Sequence, residues 1–555
     1  MKRWMTGLGL GLLAILLLNP AVSAFDFSQI ENRVVEHTLD NGLTFLILPR
    51  HDAPVVSLVT AVNTGCADDP MGYMGMSHMF EHMAFKGTEE IGSKEVKLEA
   101  KWAAEKERLE RLIDDEKRKG DKADTQKLAG LTDEMTAAAD SVSKYTGRRN
   151  ETRWMAEEDR IFELILEERA KGDLADSARL AELGKQMVEA TDSACAYAEI
   201  NEFGEIVNRE GGIGLNAGTS YDNTNYYVSY PSNKLELWMA MESDRFLNPV
   251  LRELFKEKEV VAEERRFRIE SSPTGKLFLG EFLGLAFNAH PYGKCLIGEM
   301  SEIQNYNRPA MLEQFQTHYV PRNIAIGIVG DVDPKEVIEL AEKYFGRIED
   351  RPKPRPLMID ETPPFGVRKA TIRENAQPMF IMGYHIPTVM HPDYVALDAL
   401  ATYLGSGRTS VLYKNLVKDK KTAVEASAFA GFPGGKYPSL FGIFCIPSNE
   451  HTNAENETDA LAEVEKVRDD LIPQDELEKI KAKAKAGLIG GLASNTGLAS
   501  QLAYYQITMG DWRYLFKNLD MVNALTTEDI RQAARQYLDP QKRFVAYIEK
   551  PEEGK

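Results

Sequence analysis

Apolar and polar positions along the chain fall into distinct regimes. From Val34 to Gly65, apolar runs of strand length alternate with turn residues, and Asp40-Asn41-Gly42 between two such runs predicts a hairpin. A further strand is expected from Asn323 to Val329, leading into a helix that opens near Pro334 and ends at Phe345-Gly346. Phe365 to Lys555 again mixes strand-like runs with amphipathic helices, so both halves of the chain read as α+β. Between them, Pro352, Pro354, Pro356, Pro363 and Pro364 lack the N–H that helices and central strands require, and residues 351–364 read as a linker. The domains expected are therefore 25–350 and 365–555.

Between Lys94 and Asn201 the period changes. The segment is charged and alanine-rich, with Trp102, Leu109, Leu112 and Ile113 at helical spacing. It also repeats itself. Trp102 recurs as Trp154, Arg108 as Arg160, Gly120-Asp121 as Gly172-Asp173, Asp124 as Asp176, Leu128 as Leu180, Leu131 as Leu183 and Met135 as Met187, each pair 52 residues apart. The Gly-Asp step midway through each copy predicts helix, turn, helix, so residues 97–200 should form two coiled-coil-like helical hairpins inserted in the first domain. Hairpins that bury their apolar stripe within themselves or against the next copy touch little else. That predicts a separable, solvated arm, with partner binding as its alternative role.

The N-terminus stands apart. Lys2 and Arg3 precede an apolar run from Met5 to Leu18 and then Val22-Ser23-Ala24, the layout of a cleavable secretory signal over residues 1–24. The run falls short of the roughly 20 residues needed to span a bilayer, and no Cys follows it to carry a lipid. An exported protein is expected, periplasmic or secreted, with no stable membrane insertion. With 86 acidic residues against 67 basic ones and a formal net charge of −19, nucleic acid and anionic lipid are excluded as partners. Cys66, Cys195, Cys295 and Cys445 show no C-x-x-C spacing, which excludes a zinc knuckle or redox motif, and four buried thiols are expected ahead of disulfides.

Candidate chemistry concentrates in GMSHMFEHMAFKGT. His78 and His82 are one helical turn apart, so both imidazoles can reach one metal ion while Glu81 projects beside them. The order H-x-x-E-H is the inverse of H-E-x-x-H. A catalytic zinc takes a third protein ligand and keeps a fourth position for water. In FKEKEVVAEERR, Glu257 and Glu264 lie two helical turns apart and share a face, with Glu263 as the alternative to Glu264. His290, in the turn-like HPYG, is a rival ligand whose loop setting suits structural hydrogen bonds better. The glycines of GFPGGK and LGSGRTSVLY do not make a phosphate loop, having no Lys-Ser or Lys-Thr after them.

Together with LDNGL, LNAGTSYDNTNYY, EKEVVAEE, YVPRNIAIGIVGDVD and LGSGRTSVLY, these motifs resemble the pitrilysin or insulinase-type zinc peptidases. The likeness is strongest to the two-domain branch that includes the mitochondrial processing peptidase subunits, and it covers nearly all of the chain after residue 24 except the repeats. It implies two related α+β, sandwich-like domains forming half of a clamshell, which a second identical or related chain closes as a homodimer or heterodimer. It also implies one Zn2+ per chain on His78, His82 and Glu264, with Glu257 orienting a ligand and Glu81 as general base. In that family the third ligand follows the second His by roughly 76 residues. Here 181 residues intervene, and the 104 residues of the two repeat copies absorb the surplus. By the same resemblance, Asn216 and Ala217 lie on an edge strand that takes an extended peptide by β-augmentation. Arg408 and Tyr413 match an R-x4-Y pair that reaches the reacting carbonyl from the second domain.

The activity implied is that of a zinc metalloendopeptidase cleaving extended oligopeptides or unfolded polypeptides. The alternative is a non-catalytic peptide-binding or scaffold subunit. Such members of the family usually lack a ligand or the base, and this sequence retains both.

Overall fold

The computed structural model describes residues 28–119, 124–144 and 147–551; residues 1–24, expected to be a secretory signal, and the Gly120-Asp121 step lie outside the described residues. Strands β1 (Val35–Thr38), β2 (Thr44–Pro49), β3 (Val55–Val62), β4 (Ile213–Thr219), β5 (Thr224–Pro231) and β6 (Ile324–Gly330) form a mixed sheet in the order β1-β2-β6-β3-β5-β4. Strands β7 (Arg368–Arg373), β8 (Met379–Ile386), β9 (Ala423–Phe432), β10 (Ser439–Pro447) and β11 (Phe544–Glu549) form another, in the order β7-β11-β8-β10-β9. With β1 set aside, each sheet runs first, fifth, second, fourth, third strand. In each, the first and fifth strands are parallel and every other neighbouring pair is antiparallel. One topology has been used twice, and the fold is α+β with two related halves. Residues 351–364, between the halves, carry neither helix nor strand.

The local signals explain the elements. Gly42 takes φ 89° in the turn that joins β1 to β2, a conformation a side chain disfavours. The helix Pro334–Phe345 starts with Pro at its first position and Asp333 capping the Lys335 N–H. β2, β3 and β6 read as continuous apolar runs because they are buried on both faces.

What covers those faces is not local. One face of the first sheet packs on helices of its own half, with Phe45, Ile47, Val56 and Leu58 in that core. On the other face Leu46, Leu48, Val59, Ala61, Ala325 and Val329 meet Leu498, Ala499, Leu502 and Ala503 of the helix Asn495–Met509, which belongs to the second half. The exchange is reciprocal: Leu277, Phe282, Leu283 and Ala286 of the first half lie on Ile381, Leu440, Phe544 and Ala546 of the second sheet. Glycines permit both approaches. A Cβ on Gly327 would overlap the Ala499 backbone, and one on Gly383 would come 2.7 Å from the Phe282 ring.

The repeats form the helices Val96–Lys117 and Thr125–Lys144, then Gly147–Arg169 and Ser177–Cys195. Their equivalence extends to single bonds. Glu116 accepts from the Asp124 N–H at 3.1 Å and Glu168 from the Asp176 N–H at 2.7 Å; Arg108 pairs with Glu105 and Arg160 with Glu157. At the root, Ser93 bridges Ala198.

The expectation of a separable arm with few outside contacts is wrong for the second copy. Glu151, 1% exposed, bonds Arg252 at 2.6 Å, and Glu158, also 1% exposed, bonds Arg308 at 2.9 Å. Phe162 packs on Phe255 at 5.1 Å between ring centres and receives Lys258 Nζ over its face at 4.0 Å. Sequence pattern alone read these acids as a solvated face; their partners lie about a hundred residues and more away. No disulfide forms among the described residues, where all four cysteines are free thiols, and no helix there is long and apolar enough to cross a membrane.

Deleting one period, residues 95–146, joins Lys94 to Gly147 and should leave a soluble, folded protein. Deleting 97–200 strips Arg252 and Arg308 of their acids and should give insoluble or unfolded protein. Glu151→Ala, which leaves the Arg252 charge buried and unpaired, should cost about 3–5 kcal/mol by denaturant unfolding.

Candidate active site

The helix Met76–Met83 divides its residues between two faces. Met76, Met79, Phe80 and Met83 enter the core of the first half, where Phe80 stacks on Phe315 with ring centres 5.0 Å apart. His78, Glu81 and His82, three and four residues apart, are left together on another face. The start of the helix is fixed by Asp69, a residue the sequence reading did not single out. Its carboxylate accepts from Gly75 N at 2.8 Å, Ser77 N at 3.0 Å and Ser77 Oγ at 2.6 Å. Burial nevertheless pushes the Asp69 carboxyl up to about 8, against those three donors. Gly75 takes φ 86°, and a Cβ there would overlap the Ile297 carbonyl, so the turn into the helix requires glycine.

The helix Leu254–Arg265 packs against this face and supplies the acids. Glu264 Oε1 lies 3.7 Å from His78 Nε2, and its Oε2 lies 3.5 Å from His82 Nε2. Tetrahedral ligands about 2.05 Å from a zinc ion sit about 3.3 Å from one another; the two Glu264 contacts come near that spacing, and one donor atom from each of His78, His82 and Glu264 lies within 4.8 Å of the other two, close enough to hold a metal ion. Glu263 points elsewhere: it pairs with Arg266 and its side chain is 71% exposed. His82 Nδ1 is bonded to Glu257 Oε1 at 3.0 Å, which leaves Nε2, facing Glu264, as the nitrogen that could take a metal ion, and Lys86 Nζ holds Glu257 Oε2 at 2.6 Å. Lys86 also reaches Glu253 at 3.4 Å. Lys86 and Glu253 escaped the sequence reading, although each stands one helical turn from a residue already singled out, His82 and Glu257 respectively.

The charges suit a cation. Burial, reinforced by His82, takes His78 down to about 4 and keeps it neutral. For His82 burial works the other way from its acids, and hydrogen bonds with Glu257 and Glu264 prevail, lifting it to about 9. A metal ion held there would have to take the place of a proton on Nε2. Burial opposes the Glu257 charge, yet His82 and Lys86 hold that carboxyl at about 2. Burial raises Glu81, which is bonded to Thr219 at the end of β4.

β4 closes one edge of the first sheet, Asn216 opposite Tyr227 and Ala217 opposite Tyr226 of β5, and no other strand among the described residues pairs with its outer side. Arg408 is exposed and Tyr413 half-buried at the start of the turn Tyr413–Asp419. Neither is joined to the His78–Glu264 group by a hydrogen bond or ion pair among the described residues. His290 is also elsewhere, buried against Phe287, Tyr292 and Tyr437, with Nδ1 accepting from Tyr292 N at 3.1 Å.

A duplicated α+β sheet whose first half brings two histidines and a glutamate together is a protein of two related halves, one of them able to hold a metal ion. Residues 45–104 and 189–298 match the insulinase family, peptidase family M16, and residues 305–484 match the peptidase M16 inactive domain. The chain is 34% identical over 314 residues to the zinc protease PqqE of Helicobacter pylori, an alignment covering 55% of this chain and 69% of the relative. It is 24% identical over 341 residues to the mitochondrial-processing peptidase subunit beta of Lentinula edodes, covering 59% and 72%. A crystal structure of a protease from Helicobacter pylori superposes with a TM-score of 0.69 at 24% identity, covering 93% of this chain and 99% of that one. The chain belongs to the insulinase (M16) peptidase family.

Glu257→Ala should weaken zinc binding about 10- to 100-fold without removing a ligand, by freeing the His82 ring. Glu264→Ala should abolish stoichiometric zinc, while Glu263→Ala should leave it intact. Competition against a chromogenic chelator reads all three.

Proposed function

We propose that the protein is a zinc-dependent endopeptidase that hydrolyses extended oligopeptides or unfolded polypeptides, with one zinc per chain held by His78, His82 and Glu264. The observation that carries this reading is the convergence of those three side chains beside Glu81, at the end of a sheet edge with no further strand. The names of its relatives, zinc protease and processing-peptidase subunit, support it.

Bound zinc supplies a Lewis acid that brings the pKa of water toward neutrality. Glu81 accepts the water proton and later delivers it to the leaving amine, and its burial-raised carboxyl suits both tasks. The backbone of Asn216 and Ala217 receives the substrate as an added strand, which requires an extended chain and disfavours folded proteins. Arg408 and Tyr413 donate to the carbonyl oxygen as it becomes negative.

We further propose export to the periplasm or beyond, from the 1–24 leader, and assembly as a homodimer or heterodimer with a related chain. The match of residues 305–484 to the peptidase M16 inactive domain favours one alternative, a peptide-binding or scaffold subunit without catalysis of its own.

Purified, zinc-loaded chain should cleave a library of quenched fluorescent peptides, and absence of turnover would support the subunit instead. Glu81→Gln should retain zinc and fold but lose activity by at least about 10²- to 10⁴-fold. Tyr413→Phe should lower kcat by about 10²- to 10³-fold at unchanged zinc content. Kinetics like the wild type would remove Tyr413 from the reaction.

A further inference from the structure

We infer that Arg268 is a specificity-determining residue that binds a carboxylate of the peptide, either an acidic side chain beside the scissile bond or a free C-terminus. The inference rests on the peptidase reading above.

The run EERRFRIE carries three arginines along the end of the helix Leu254–Arg265 and the π-helical turn Arg266–Glu270 that prolongs it. Arg265 is buried and fully engaged, by Glu270, by Glu299 at 2.5 Å and by the Gly298 carbonyl at 2.8 Å. Arg266 has Glu263. Among the described residues Arg268 has one ion-pair partner, Glu264: its Nη2 lies 3.0 Å from Oε1, the same oxygen that faces His78.

A divalent ion on Glu264 withdraws the negative charge that holds the guanidinium and repels it at short range. Arg268 is then the one arginine of the run left without a dedicated acid. Lys86, the other cation near the ligands, stays engaged by Glu253 and Glu257. Arg268 is 58% exposed, so its fork can turn to a ligand without moving the backbone. The planar guanidinium matches a carboxylate through two parallel hydrogen bonds. Such π-helical turns recur at functional sites. The net charge of −19 repels acidic peptides at long range, so any preference for a carboxylate has to be local to one position.

The test uses the full chain and two readouts that need no turnover. In chelator competition, Arg268→Ala should bind zinc about threefold or more tightly than wild type, because a cation competing for Glu264 is gone. Weaker zinc binding would mean that the guanidinium stays on Glu264 as a support for the ligand, and would overturn the inference. The second readout is the affinity of zinc-loaded Glu81→Gln for matched peptides. These carry Asp or Ala at single positions, and a C-terminal carboxylate or amide. A carboxylate at one location should tighten binding about tenfold. That gain should vanish with Arg268→Ala, persist in part with Arg268→Lys and turn toward lysine-bearing peptides with Arg268→Glu, while neutral peptides bind equally throughout. The side-chain and C-terminal series separate the two sources. Equal affinity for acidic and neutral peptides, or equal weakening of all peptides by Arg268→Ala, overturns the proposal. Failure of the peptidase reading shows separately, as wild type that binds the peptides but cleaves none.

Discussion

The helix Leu254–Arg265 is the member on which the rest of the site depends, because it is packed on two sides by residues distant in sequence. Toward the H-x-x-E-H helix it offers Glu257 and Glu264, seven residues apart; toward the inserted hairpin it offers Phe255 and Lys258. A helix clamped by apolar contacts and a buried ammonium on one side cannot easily drift on the other. Double packing of this kind limits the drift of the side chains that a metal site would need held in place. Glu253 joins the two jobs, since it begins the helix in a left-handed conformation and also holds Lys86, the cation that fixes Glu257.

The duplication shows how little of a fold is function. In both halves a helix follows the second strand of the shared topology. In the first half it is Met76–Met83, with His78, Glu81 and His82; in the second it is Tyr394–Gly405, where Leu397, Leu400, Ala401 and Leu404 are buried in the core. The same scaffold therefore supports one half able to hold a metal and one committed to packing. The contribution of the second half is partly mechanical, because its helix Asn495–Met509 completes the sandwich in which β2, β3 and β6 lie.

How much of this was legible in the sequence varied with how local the physics is. The hairpin at Asp40-Asn41-Gly42 and the i, i+4 pair His78 and His82 are short-range requirements, and they read directly. The proposed third ligand did not: Glu264 looks like any acid on a charged helix, and only the family resemblance, corrected for the repeat length, pointed to it. The repeats were plain from their 52-residue period, but their attachment was missed. A signal existed in the differences between the copies, where Lys106 and Glu110 of the first stand at the positions of Glu158 and Phe162 in the second. A repeat that trades charge for an aromatic residue on one face has acquired a neighbour. Asp69, Thr219 and Arg268 had no comparable mark, because their roles depend on which loops and helices meet in space.

The reciprocal exchange of helices also sets an order of events during folding. The outer face of the first sheet, with Leu46, Leu48, Val59, Ala61, Ala325 and Val329, has no cover until residues near 495–516 have been synthesised. A ribosome that has produced nine-tenths of the chain still holds a first half with an apolar sheet face open to solvent. Such a surface invites association with other chains and recruits holding chaperones. Neither half can therefore mature as an independent unit. The cooperative folding unit is nearly the whole polypeptide, and a truncation close to the C-terminus should be felt at the strands nearest the N-terminus.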